Sequence, residues 1–200
     1  MPEVRLYQVN EKRSYLSIKQ HIDTNNDITD FALYQFSEDK LQEVCNFYSD
    51  NINPEHVFHY GAELLVMTKD KIILACQNQF NATAYMSWEM EFDYKDEQWT
   101  SNSTEYALKY ESFYEEKKDG MTANQNLVVY TTTACDAEAF MIVKGEVVTI
   151  DKICIENGAL YFKVTNTEGK EGWLPDPETS TYEMNGEWLN GYFEEAMFAG

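Results

Sequence analysis

The stretch YFKVTNTEGKEGWLPD, from Tyr161 to Asp176, decides the fold that the sequence predicts. Residues 160–164 form a short, mostly apolar run that predicts a strand, and residues 171–174 predict its return strand. The polar segment between them ends in Gly169-Lys170 and predicts a tight turn, because glycine adopts positive φ without strain, and we predict the same conformation for Gly145. Gly172 would let Trp173 lie close to a neighbouring backbone, so we predict Trp173 as a core residue first and a ligand-binding residue second.

Short apolar or alternating runs recur along the rest of the chain and predict further strands. Outside the opening stretch, the predicted strands cover residues 4–9, 15–19, 31–36, 57–60, 63–68, 71–77, 84–94, 106–114, 127–130, 140–143, 147–150 and 153–155. Residues 23–30 are polar and predict a loop, and Lys69-Asp70 predicts a hairpin turn. Residues 37–48 fit either a helix behind Ser37 or a hairpin with a return strand over 41–45, and we favour the hairpin because its neighbours are strands.

The predicted fold class is mainly β, with antiparallel sheets, because turn signals separate the strands at short intervals. The charged run EEKKDG, residues 115–120, precedes a polar segment and is the best candidate for a domain boundary. We therefore predict an antiparallel β-rich domain over residues 1–118 and a small barrel over 122–176. Residues 177–200 contain Asn-Gly turn dipeptides and apolar residues, which predict a packed C-terminal tail.

Three blocks after this boundary occur in a characteristic order: Lys144-Gly145-Glu146-Val147-Val148, Tyr161-Phe162-Lys163-Val164, and Gly169-Lys170-Glu171-Gly172-Trp173. Over residues 127–176 the chain resembles the bacterial SH3-like (SH3b) domain, which shows these blocks as KG-(D/E)-x-V, WYKV and G-x-x-GW. The resemblance implies a small SH3-like β-barrel that binds a peptide or cell-wall ligand, with Tyr161 and Trp173 as the candidate contacts. The chain departs from the family where Tyr161 replaces a tryptophan and where VVYTTTA, residues 128–134, has no arginine.

The formal net charge of −20 bears on the partners that the chain can bind. Clusters of Lys and Arg, which phosphate backbones and anionic membranes attract, do not occur, so nucleic acid is disfavoured as a partner. No apolar run approaches the roughly 20 residues that cross a bilayer, so membrane insertion is not expected. Glu89, Glu91 and Asp93 alternate with apolar residues, which predicts one acidic strand face for calcium or a basic peptide, or an ordinary solvated face. Residues 23–30 are a second acidic candidate.

Residue patterns for catalysis, cofactors or structural metals are not found. Cys45 precedes His56 and His59, but its surroundings do not fit a nucleophile turn, and a core thiol is the better interpretation. His56 and His59 would point to opposite faces of a strand, so one metal ion could not easily bind both. The four cysteines lack C-x-x-C spacing, and we favour free thiols over pairing. We predict no enzyme activity, no cofactor and no metal site.

The function that follows is a non-catalytic binding or interaction module of a secreted or cell-surface bacterial protein. The SH3-like resemblance carries this prediction, and a signal sequence would then lie outside residues 1–200. The alternative is an intracellular, cytoplasmic acidic protein that acts as an inhibitor or decoy for a basic partner. The net charge carries that alternative.

Overall fold

The computed structural model describes residues 2–11, 13–22, 28–37, 40–49, 61–96, 98–101, 103–110, 115–156, 159–178, 181–184 and 187–196. The first nine strands are β1 Glu3–Asn10, β2 Arg13–His21, β3 Ile28–Ser37, β4 Lys40–Asn46, β5 Gly61–Met67, β6 Lys71–Phe80, β7 Ala84–Lys95, β8 Gln98–Thr100 and β9 Glu105–Lys109. The others are β10 Met121–Thr122, β11 Leu127–Tyr130, β12 Glu138–Ile142, β13 Val147–Glu156, β14 Ala159–Asn166, β15 Glu171–Pro175, β16 Thr181–Met184 and β17 Glu187–Asn190. All of the described strand pairings are antiparallel. The predicted mainly β, antiparallel class is confirmed.

Internal contacts divide the chain into two units whose boundaries cut strands β6 and β7. The first unit comprises Met1–Asn78 and Glu89–Ser103, and the second comprises Gln79–Trp88 and Thr104–Gly200. In the part of the chain that the structure describes, no helix has the length and apolar character needed to cross a membrane.

The first unit contains two sheets that share an aromatic core. Strands β1 to β4 pair in chain order, and β5, β6 and β7 form a second sheet, with β8 paired to β7. The buried ring of Phe47 lies 5.1 Å from that of Phe31 on β3 and 5.3 Å from that of Phe92 on β7. Because these rings come from both sheets, their inner faces bury one hydrophobic core between them. The predicted hairpin over residues 37–48 is confirmed, with Ser37 opposite Lys40.

The second unit is built on a row of strands in the order β12, β11, β15, β14, β13, β9, β7, with β10 also paired to β13. The row contains all five strands of residues 127–175, which carry the three sequence blocks. In this pairing of the described strands β12 ends the row beside β11, and a closed barrel does not form. The ring of Phe80 lies 5.5 Å from that of Phe162 on β14 and 5.6 Å from that of Trp88 on β7. These buried rings form the centre of the core of this unit.

The glycines of the three sequence blocks take the roles that the sequence predicts. Gly145 and Gly169 have φ of 85° and 78°, in the left-handed region that side chains disfavour. A Cβ on Gly172 would lie 2.5 Å from Val129 Cγ1 and 2.6 Å from the carbonyl oxygen of Tyr130. The missing side chain at residue 172 therefore allows β15 to pack closely against β11.

The turn between β6 and β7, residues 81–83, is largely buried and is held by segments far away in sequence. Asp176 accepts hydrogen bonds from the backbone N–H groups of Ala82, at 2.7 Å, and Asn81, at 3.3 Å. Lys117 Nζ donates to the carbonyl oxygen of Thr83 at 2.9 Å. The N–H of Tyr192 donates to the carbonyl oxygen of Ala82 at 2.7 Å. These bonds satisfy backbone groups that burial would otherwise leave without partners.

The boundaries between the two units of the chain do not coincide with the boundary predicted at residues 115–126. Residues Glu115–Asp119 form a 3-10 helix, and Lys117 of this helix is buried. Ala123 and Asn124 are also buried, and the N–H of Asn124 donates to the carbonyl oxygen of Tyr192 in the C-terminal tail. This polar segment is therefore part of the packed second unit, and in the tail Phe193 is buried.

Three further sequence predictions need correction or fall outside the described residues. Residues 23–27 of the predicted acidic loop lie outside them, but β3 begins at Ile28, so Asp30 belongs to a strand. The strand predicted over 106–114 ends at Lys109, and residues 111–114 lie outside the described part. The predicted strand at 57–60 lies outside it too. The three-residue strand β8 was not predicted, because a segment so short shows no periodicity.

We expect Gly172→Ala to lower the free energy of unfolding by about 1–3 kcal/mol, because the added methyl group overpacks a tight contact. Gly169→Asn is the control, since asparagine tolerates the left-handed region and the space beside Gly169 is open. Urea denaturation of both variants measures the difference. Equal losses for the two variants would show that the close approach of β15 to β11 does not constrain residue 172.

Asp176 should make the stability depend on pH. Burial raises its pKa to about 6, although the N–H groups of Ala82 and Asn81 lower it. The folded protein therefore binds this proton more tightly than the unfolded chain, whose aspartate pKa is about 3.9. The contribution of Asp176 to the free energy of unfolding should be greatest below about pH 4 and should fall, by on the order of 2 kcal/mol, as the pH rises to about 6.

Asp176→Asn removes this titration while the other carboxylates remain. Urea unfolding of both proteins between pH 4 and 7 should show the wild type losing stability relative to the variant as the pH rises. Parallel pH profiles for the two proteins would contradict the assignment to Asp176.

Candidate binding surface

One face of the strands β11, β14 and β15 points outward and carries aromatic side chains. Residues directly opposite one another in an antiparallel pair share a face of the sheet. Lys163 on β14 is opposite Trp173 on β15, and Tyr161 is opposite Pro175. Trp173 is also opposite Tyr130 on β11. We call these five residues the aromatic face; the intervening residues Phe162 and Leu174 are buried on the other side of the sheet.

Trp173 lies at the centre of the aromatic face and is only 8% exposed. The ammonium nitrogen of Lys163 lies 5.3 Å from the centroid of the indole ring, within cation–π distance. Lys163 also forms an ion pair with Glu171 at 3.3 Å. The lysine therefore covers the ring and helps to bury it, as expected for a residue placed primarily in the core.

Tyr161 is half-buried and lies diagonally across from Trp173. In an antiparallel pair such diagonal positions are about 7–8 Å apart, which aromatic side chains can span. Burial raises the pKa of the Tyr161 hydroxyl, and Cys135, Glu156 and Cys154 raise it further. The hydroxyl thus stays protonated at neutral pH and can donate a hydrogen bond to a ligand.

The loop between β11 and β12 is internally hydrogen-bonded and brings Cys135 near Tyr161. The N–H of Thr131 donates to the carbonyl oxygen of Ala137 at 2.9 Å. The hydroxyl of Thr133 donates to Glu156 at the end of β13, at 2.7 Å. Cys135 adopts a φ of 54°, which is uncommon for a residue with a side chain. A structured loop therefore borders the aromatic face.

The predicted acidic face is present on β7, but lysines pair with two of its carboxylates. Glu89, Glu91 and Asp93 alternate with Trp88, Met90 and Phe92, all three of which are buried. Lys71 pairs with Glu91 at 2.5 Å, and Lys95 pairs with Asp93 at 2.9 Å. The hydrogen bond from Lys95 lowers the pKa of Asp93, and the bond to Glu91 raises the pKa of Lys71. This pattern is typical of a solvated sheet face that balances its own charges.

The structure describes only some of the residues considered for metal binding and catalysis. Among them, no group of three or more His, Cys, Asp or Glu side chains could hold a metal ion. Cys45 is buried, and burial raises its thiol pKa to about 12, so the thiol remains protonated at neutral pH. All four cysteines are free thiols. His56, His59, Asp23 and Asp27 lie outside the described residues.

The structure brings Tyr161 and Trp173 together, and the sequence analysis missed the other three residues of the aromatic face, Lys163, Pro175 and Tyr130. Lys163 shares the face of Tyr161 because the two lie two positions apart in one strand, and this alternation was visible in the sequence. Tyr130 joins the face only through the pairing of β11 with β15, which no local pattern predicts. Glu89, Glu91 and Asp93 belong to the other unit of the chain.

Comparisons of the chain with protein-family models, with curated proteins and with solved structures find no match.

We expect Trp173→Ala to lower the free energy of unfolding by about 3–5 kcal/mol, the usual loss when a buried aromatic site is emptied. Met141→Ala is the control, because Met141 lies on the same strand row and is exposed; its loss should stay within about 0.5 kcal/mol. Urea denaturation measures both. An unchanged midpoint for Trp173→Ala would mean that the indole ring contributes nothing to the core.

Proposed function

We propose that this chain is a non-catalytic binding protein with an SH3-like second unit, and that it acts in a secreted or cell-surface position of a bacterium. The order of the strands over residues 127–175 supports the SH3-like assignment, as do the left-handed conformations of Gly145 and Gly169. The close approach at Gly172 adds to this support, because the GW block of the family needs a small residue there. The location rests on the resemblance alone, and fractionation of the source cells tests it.

The aromatic face is the single observation that carries the binding function. The rings of Tyr161 and Trp173, twelve residues apart in sequence, lie on adjoining strands, and Tyr161 remains partly accessible to solvent. Aromatic rings bind the apolar faces of extended peptides and sugars with little loss of conformational entropy, since they have only two rotatable bonds. The Lys163 charge is already paired with Glu171, so the surface favours an uncharged, shape-dependent contact. We therefore propose a peptide or cell-wall ligand.

The alternative, an acidic inhibitor or decoy that uses Glu89, Glu91 and Asp93, has less support. Lys71 and Lys95 on the same sheet occupy the carboxylates of Glu91 and Asp93. A cationic partner would have to compete with both lysines for these carboxylates. The acidic face of β7 therefore offers a cationic partner little negative charge that these lysines do not already balance.

We expect soluble cell-wall fragments or their sugar-free peptides to perturb the NMR signals of the aromatic face, including the indole N–H of Trp173. Tyr161→Ala should weaken binding about tenfold without a change in melting temperature, because one stacking contact is worth about 1–2 kcal/mol. Comparison of intact fragments, free peptides and free glycans identifies the part of the cell wall that binds.

Tyr34→Ala is the matched control, since Tyr34 is a half-buried strand tyrosine of the first unit. Its affinity for the same fragments should equal that of the wild type. Binding that is insensitive to Tyr161→Ala, or no perturbation by any of the three probes at millimolar concentration, would refute the proposed function.

A further inference from the structure

The sheet of strands β1 to β4 has an outer face that is strongly apolar. Its register places Leu6 opposite Leu16, and Val4 opposite Ile18, on β1 and β2. On the neighbouring pair of strands, Phe36 of β3 is opposite Leu41 of β4. We call these six residues the apolar face. They alternate with Tyr15 and Leu33, which point into the core of the first unit.

The apolar face lies open to solvent. Leu6 is 72% exposed, Phe36 66%, Val4 55% and Leu41 47%. Single exposed apolar residues are ordinary, but here four of them lie on a sheet face that Leu16 and Ile18 make continuous between β1 and β3. Contiguous apolar patches of more than a few hundred Å² are rare on monomers and mark sites where another molecule binds. The feature therefore points to a docking surface that the described part of the chain leaves uncovered.

The charged side chains of these strands are divided between the two faces. The strand register and the alternation of side chains place the described lysines and arginines of β1 to β4 on the inner face. These residues are Arg5, Arg13, Lys19 and Lys40. Arg5 pairs there with Glu63 on β5, and Lys19 donates to the carbonyl oxygen of Ala62. The charged residues that the register places on the outer face of the described strands are Asp30 and Glu43, both acidic.

We propose that the apolar face is the docking surface for a basic, amphipathic protein segment. Apolar side chains of that segment would cover Leu6, Phe36 and their neighbours, and its Lys or Arg side chains would approach Asp30 and Glu43. A second copy of this chain fits less well, because it would bring another net charge of −20 and place carboxylates against carboxylates. An anionic membrane surface is opposed by the same charge.

The test uses the full chain, labelled for NMR, and a synthetic helical peptide with leucine on one face and lysine on the other. We expect this peptide to perturb the amides of Val4, Leu6, Phe36 and Leu41. The double variant Leu6→Ser/Phe36→Ser should bind at least about tenfold more weakly, since it removes the two most exposed anchors. Both positions point to solvent, so the variant should keep the wild-type melting temperature.

The double variant Leu65→Ser/Val66→Ser is the matched control, because it removes two exposed apolar residues of β5 in the same unit. It should bind the peptide as the wild type does. Peptides with glutamate for lysine, or with serine for leucine, should bind at least about tenfold more weakly, since each lacks one of the two required features.

Several results would overturn the proposal. One is equal binding of the serine-substituted peptide, which would mean attraction by charge alone. Another is binding that Leu6→Ser/Phe36→Ser does not change. A dimer of the chain alone that this variant dissociates in sedimentation would assign the apolar face to a second copy. Binding to anionic vesicles that the same variant abolishes would assign it to a membrane surface.

Discussion

The second unit depends on the burial of one polar turn, residues 81–83 between β6 and β7. Backbone N–H and carbonyl groups in the buried part of this turn cannot bond to water, so they need partners within the protein. The partners come from three distant segments: Asp176 after β15, Lys117 in the 3-10 helix and Tyr192 in the C-terminal tail. Because a missing partner would leave a buried polar group unpaired, at a cost of about 1–3 kcal/mol, the turn ties these segments into one unit.

This constraint explains why the charged run at residues 115–120 is not a linker. Lysine has a long aliphatic stem and one compact charge, so it can be buried where carbonyl oxygens meet its ammonium group. Lys117 does this with the carbonyl oxygens of Thr83 and Tyr85. Composition cannot distinguish such a lysine from its solvated neighbour Lys118, since the difference lies in acceptors more than thirty residues away. The burial of the Asp176 carboxylate escapes sequence analysis for the same reason.

Features set by local chemistry were predictable from the sequence, and features set by long-range pairing were not. The alternation of β7 correctly predicted that Trp88, Met90 and Phe92 face the core, because the period of a strand is a local property, whereas Tyr94, predicted with them, is only half-buried. Gly145 and Gly169 were predicted from their turns in the same way. The candidate site was predictable only in part: Tyr161 and Trp173 came from a family resemblance, and the register that adds Tyr130 came from the structure. The sequence blocks likewise did not predict that the strand row ends at β12 without closing into a barrel.

The net charge of −20 does not by itself locate a binding surface, since what matters is where carboxylates lack basic neighbours. On β7 the candidate carboxylates Glu91 and Asp93 are neutralised by Lys71 and Lys95 within their own sheet. On the described strands β1 to β4 the register sends the arginines and lysines inward, so the outer face keeps the carboxylates of Asp30 and Glu43, and Glu43 lies diagonally across from the exposed Phe36. Low local dielectric beside apolar side chains strengthens attraction to an approaching cation. A sheet with few charges can therefore select a basic partner better than a strand with many.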